Sequence, residues 1–103
     1  MTRTSLLKDN KRTKRISNYL WITRKKVGLA QKQVAFLLGH KNTTQLSRYE
    51  HGTRIPSLKT ALKLEIAYAK PLRLLFFGLH DELREDVQKR REKIFVYKEL
   101  KEN

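Results

Sequence analysis

The chain has no cysteine, two prolines, four glycines and only 10 acidic side chains in 103 residues. The missing cysteine excludes a disulfide scaffold, a thiolate zinc site and a cysteine nucleophile. No apolar run approaches the ~18 residues of a membrane span. The basic N-terminus lacks the apolar stretch of a signal peptide. A soluble, cytoplasmic protein is expected, with no membrane partner. His40, His51 and His80 are scattered and lack the cysteine or carboxylate spacing of a metal site, so no metal and no cofactor are expected. No Ser–His–Asp arrangement stands out, so no enzyme is expected. A chain of this length holds one small domain with or without arms, and a two-lobed α/β enzyme does not fit.

One kind of residue is abundant. Lysine and arginine number 24, giving a formal charge of +14. Such a surplus needs a polyanion, and nucleic acid is the first candidate. Its placement is uneven. Residues 1–15 carry a net +5, residues 16–58 a net +6 and residues 59–78 a net +3, whereas residues 79–103 hold seven bases and seven acids. The expected organisation is a flexible basic arm (1–15), a polyanion-binding domain (16–78) and a helical extension (79–103) built for packing or association.

The periodicity is helical from residue 16. Ile16, Leu20, Thr23 and Val27 share one face of a first helix, with Ser17 as N-cap, Ile16 and Trp21 as a hydrophobic staple and Gly28 at the end. A short second helix runs from Gln31 to Leu38, buries Val34, Ala35 and Leu38, and stops at Gly39. A third begins at Asn42, whose capping box with Gln45 fits the spacing. It turns Leu46, Tyr49 and Glu50 inward and Thr43, Thr44, Ser47 and Arg48 outward, and Gly52 ends it. Pro56-Ser57 opens a fourth helix with Leu58, Ala61, Leu62 and Leu64 inward, followed by Ala67 and Tyr68. Pro71 suits the first turn of a fifth, which Gly78 closes. Residues 81–101 form a longer charged segment carrying Leu83, Val87 and Ile94, although Ile94–Tyr97 has strand propensity.

Two short helices joined at Gly39 make a helix-turn-helix signature. The small Ala35 lets the helices approach, and the outer face of the second suits a DNA major groove. Arg24-Lys-Lys-Val-Gly28-Leu-Ala-Gln31, Val34-Ala35-x-x-Leu38-Gly39 and Leu46-Ser47-Arg48-Tyr49-Glu50-x-Gly52-x-Arg54-x-Pro56, with Leu64 beyond, resemble the Cro/C1-type (XRE) DNA-binding domain over residues 16–77. The resemblance implies an all-α, five-helix, lambda-repressor-like domain, here with an additional C-terminal helix. It also implies sequence-specific binding of double-stranded DNA, usually by a homodimer that represses transcription.

Roles follow from that resemblance. Thr43, Thr44, Gln45, Ser47 and Arg48 face base edges, with Arg48 set for a bidentate contact to guanine. Gln31, Lys41, Asn42, Thr53 and Arg54 hold the DNA backbone. Arg24 and Glu50 form an internal ion pair.

Three features depart from the pattern. One extra residue lies between Gly39 and Glu50, so the residues are aligned backwards from Glu50. Ala30 takes the N-cap position of the second helix, for which Gln33 compensates in part. Glu65 stands where a small apolar residue is usual, which suggests pairing with a base. Trp21, Phe36 and Leu37 are apolar at positions expected to be exposed. The C-terminal helix is expected to fold back over them, leaving Phe95, Val96, Tyr97 and Leu100 for dimerisation. The alternative is that they form a partner surface. The rival function is an antitoxin whose C-terminal segment binds a toxin, and a weaker one is a non-specific DNA-coating protein.

Overall fold

The structure is a computed structural model describing residues 15–102, and the side chains of residues 15–96. The arm expected at 1–15 lies outside the described residues apart from Arg15. Six helices follow in order: α1 (Leu20–Val27), α2 (Gln31–Leu38), α3 (Thr44–His51), α4 (Leu58–Tyr68), α5 (Leu72–Leu75) and α6 (Phe77–Glu102). No strand occurs among the described residues. The expected strand-prone stretch at 94–97 lies within α6, where strong helix formers flank it and no strand is present to pair with it.

The core gathers one or two side chains from each of the first five helices. Leu20, Val34, Leu38, Leu46, Leu64 and Leu75 are each at most 1% exposed. Tyr49, Tyr68 and Phe76 complete the cluster, and Ile16, Leu29, Leu72 and Leu79 pack on its margin. In α2 the inward residues are Val34, Ala35 and Leu38, at the three- and four-residue spacing of one helical face. Elsewhere the periodicity is less faithful. Leu58 is 71% exposed and Leu62 43%, so the buried residues of α4 are Leu64 and Tyr68, not Leu58 and Leu62. Val27 is also exposed, and Arg24 takes the buried place beside Thr23 in α1.

The first helix starts later than expected, and the reason is tertiary. Ile16 N–H donates to the Gly52 carbonyl at 2.8 Å, holding residues 15–18 outside the helix. Ser17 therefore does not cap. Asn18 does the local work: its Oδ1 accepts the Leu20 N–H at 2.9 Å, and its Nδ2 donates to the carbonyls of Ile16 and Tyr49, each at 3.0 Å. The expected Ile16–Trp21 staple gives way to Ile16 packing on the core margin, while Trp21 lies half-exposed under the Lys25 ammonium. Tyr19 N–H donates to the Leu75 carbonyl at 2.8 Å, so this short strap joins the end of α3 to the end of α5.

Charged residues close two other seams. Glu65 does not pair with a base among the described residues. Its Oε2 accepts the Leu72 N–H at 2.8 Å, serving the N-terminus of α5. Lys63 Nζ donates to the Leu38 carbonyl at 3.0 Å, serving the C-terminus of α2.

Gly78 does not close α5. The break falls at Phe76 (φ −119°, ψ 46°), and Gly78 lies inside α6 against Ser17. α6 then leaves the core after Leu79 and does not fold back. Trp21 and Leu37 remain 51% exposed and Phe36 80%. Folding back needs a turn, and no glycine or proline follows Gly78. The result is a molecule 60 Å in its longest dimension, with α6 as a projecting rod.

Candidate nucleic-acid interface

Between residues 16 and 78 the sequence holds only two acids, Glu50 and Glu65. Both are engaged internally. Glu65 serves Leu72, as described. Glu50 is the centre of a buried polar cluster: Oε2 lies 2.6 Å from Arg24 Nε, and Oε1 accepts from Arg24 Nη2 at 3.2 Å and from Gln31 Nε2 at 2.9 Å. The side chains of Arg24 and Glu50 are only 7% and 3% exposed. The hydrogen bonds that Arg24 donates to Glu50 hold its guanidinium protonated against the burial that opposes its charge. Arg24 Nη1 also donates to the Leu29 carbonyl at 3.0 Å. One ion pair thus ties α1, the α1–α2 turn, the start of α2 and the end of α3 into a fixed relation.

The consequence is electrostatic. Arg24 is the only base of this region with an acidic partner among the described residues. Lys25, Lys26, Lys32, Lys41, Arg48, Arg54, Lys59, Lys70 and Arg73 are exposed, and none of their side chains forms an ion pair among the described residues. The domain surface therefore presents one sign of charge.

α3 is the element aimed outward from this surface. Leu46 and Tyr49 bury one face of it. Thr44 and Arg48 are exposed on the other, Ser47 is partly exposed, and the guanidinium of neither Arg48 nor Arg54 has a hydrogen-bond or ion-pair partner among the described residues. The helix begins at Thr44, with Thr43 at the N-cap, one residue later than the cap expected at Asn42. Asn42 lies one position before the cap, where its Oδ1 accepts the Thr44 N–H at 3.0 Å. Its expected capping box with Gln45 does not form, because Gln45 is half-buried and its Oε1 is enclosed with no partner among the described residues.

The C-terminal turn of α3 is tightly held. Thr53 donates to the Arg48 carbonyl from N–H at 3.0 Å and from Oγ1 at 3.3 Å. His51 Nδ1 lies 2.7 Å from the Ser47 carbonyl, which can only accept, so Nδ1 carries the hydrogen. Gly52 has φ 77°, and a Cβ there would collide with the Ile16 carbonyl oxygen and meet the Ile16 nitrogen at 2.8 Å.

Gln31 is the first residue of α2, but its side-chain nitrogen is committed to Glu50. What the α2 N-terminus offers is its backbone. Gln31, Lys32 and Gln33 have no intrahelical acceptor for their N–H groups, and no acid lies in the first turn. Gln33 Oε1 accepts the Ala30 N–H at 2.8 Å, replacing part of the missing Ser or Thr cap. Lys41 and Asn42 lie exposed in the α2–α3 turn, and Arg54 just after α3.

Asn18, Lys63 and the acceptor role of Glu65 were not foreseen from the sequence. The only local signal was for Asn18, a residue type that favours local backbone bonds, sitting just before an apolar period. No group of residues among those described could hold a metal ion. No described helix is long and apolar enough to cross a membrane. Among curated proteins, none matches the chain. The helix-turn-helix family model matches residues 22–75, more than half of the chain. Matched across α1 to α5, the chain belongs to the Cro/C1-type (XRE) helix-turn-helix family of DNA-binding transcription regulators.

Proposed function

We propose that this protein is a repressor that reads the DNA major groove with the outer face of α3, and that two copies bind together. Thr43, Thr44, Ser47 and Arg48 are the proposed base-reading set. Gln45 is left out of it because its Oε1 is enclosed. Lys41, Asn42, Thr53 and Arg54 flank α3 and are proposed to hold phosphates, joined by the backbone N–H groups at the start of α2, where Gln31 stands. The observation that carries this reading is the unopposed positive surface around an exposed Arg48, produced by turning both acids of the domain inward. An arginine free of protein partners can give both of its fork donors to a guanine O6/N7 pair.

The test is selection of binding sites from random duplex DNA by the full-length chain at physiological salt. Enrichment of an inverted repeat is the expected result. Enrichment of one half-site keeps specificity and removes the paired copies. Tight, salt-sensitive binding with no enrichment would overturn the reading in favour of a DNA-coating protein. The antitoxin alternative predicts a small protein that copurifies through α6, whereas the repressor reading predicts a chain that purifies alone and selects its site without help.

A further inference from the structure

The surface that the DNA-binding reading leaves unused is α6. Leu83, Val87, Arg90 and Ile94 recur at spacings of four, three and four, the seam pattern of a two-helix coiled coil. Leu83, Val87 and Ile94 are 53%, 59% and 58% exposed, with nothing of the described chain covering them. Leu79 and Leu83 continue this stripe into an apolar groove of about 200 Å³ that also touches Ile55, Ala61 and Phe76. Apolar surface of this extent, rimmed by charge, marks a contact.

The charges identify the occupant. Residues 81–86 hold four acids and one base, and residues 87–93 hold four bases and one acid. A helix so divided complements its own reverse. We infer that α6 pairs antiparallel with α6 of a second copy, centred between Val87 and Arg90. Leu83 of one copy then packs beside Ile94 of the other, and Val87 beside Arg90. Asp86 flanks the seam on the same side as Lys93, and in this arrangement the two face each other across the pair, twice by symmetry.

Parallel pairing is disfavoured by a single residue. It would stack Arg90 on Arg90 inside the seam, placing two like charges side by side. Antiparallel pairing moves Arg90 next to Val87 and Asp86 of the other copy, and Asp86 already lies 3.5 Å from Arg90 of its own helix. On the opposite flank Arg84 and Arg91 approach one another. Each has a partner in its own helix: Asp81 at 2.7 Å for Arg84, and the Phe95 ring at 5.6 Å for Arg91.

The geometry also suits the proposed operator, and this consequence rests on the DNA-binding reading. At about 1.5 Å rise per residue, the N-termini of two such α6 helices stand about 35 Å apart. Half-sites one helical turn apart are spaced by about 34–36 Å. The end of each α6 would also lie along the groove beside Leu79 of the other copy.

The experiment needs no DNA, so its failure is separable from failure of the DNA-binding reading. The full chain is taken to sedimentation equilibrium, where a dimer is expected. Val87→Asp, at an exposed position, should weaken the dimer at least about tenfold while leaving the thermal transition of the domain unchanged. Asp86→Lys should weaken it, and Asp86→Lys with Lys93→Asp in the same chain should restore it. Because the protein has no cysteine, orientation can be read directly. Leu83→Cys chains should form disulfides with Ile94→Cys chains of different mass, and neither should bond to its own kind. Self-linked Leu83→Cys chains would show parallel pairing and overturn the inference. So would a chain that stays monomeric at every concentration tested.

Discussion

Tyr68 has a buried hydroxyl with no partner among the described residues. Burial, with the nearby Glu50 charge adding to it, pushes its ionisation well above the ordinary phenol range. The unfolded chain ionises this tyrosine near pH ~10 while the folded chain does not. The folded state then holds more protons, so stability falls as pH rises past that point. Urea denaturation of Tyr68→Phe should show stability at neutral pH that is unchanged or raised by about 1 kcal/mol, with part of the alkaline loss removed. Gly28 and Gly52 offer a paired test at nearly equal φ, 78° and 77°. Nothing lies within 4 Å of a Cβ at Gly28, whereas the Ile16 backbone blocks one at Gly52. Gly28→Ala should cost only the left-handed backbone penalty of about 1–2 kcal/mol. Gly52→Ala should cost clearly more, and the difference between their unfolding free energies reports the Ile16 contact. Arg24→Met strands a buried carboxylate and should destabilise by about 3–5 kcal/mol in the same assay.

Of the helical elements, α2 was the most legible. Its bounds, its inward residues Val34, Ala35 and Leu38, and its glycine stop all follow from local pattern, because a short amphipathic helix between two turns obeys its own periodicity. α1 and α3 were legible as helices but not at their starts, because both starts depend on groups remote in sequence or on turn geometry. Ile16 is held by Gly52, and Asn42 bonds to Thr44 from outside the helix. The outer face of α3 could be listed from spacing, but the enclosure of Gln45 could not, since it depends on the packing of the domain. α6 was legible as a charged helix and illegible as a projection. Its apolar residues sit at helical spacing whether the surface they cover belongs to this chain or to another. At this scale the prediction concerns α3 and its flank. Arg48→Ala should relax preference at one base position, with about 1–3 kcal/mol of discrimination lost there. Arg54→Ala should weaken binding to all sequences alike. Competition binding against single-base operator variants separates the two outcomes.

Across the whole molecule, the positive surface lies on the domain and the neutral, sign-divided surface lies on the rod. Salt should therefore act on the two in different degrees. DNA affinity should fall with log salt at a slope near −0.9 for each phosphate neutralised. Pairing through α6 draws on apolar contact as well as charge and should lose far less over the same range, as titrations from about 50 to 200 mM salt would show. The strap at residues 16–19 has a consequence for where the chain can be cut. A chain beginning at Ile16 keeps every bond that the strap makes to Gly52, Tyr49 and Leu75, with a new terminal ammonium placed where the Ile16 amide donated. A chain beginning at Leu20 keeps none of them. The first truncation should melt close to the parent and the second well below it. Whatever DNA affinity the first truncation loses belongs to the 15 residues removed and not to damage in the fold.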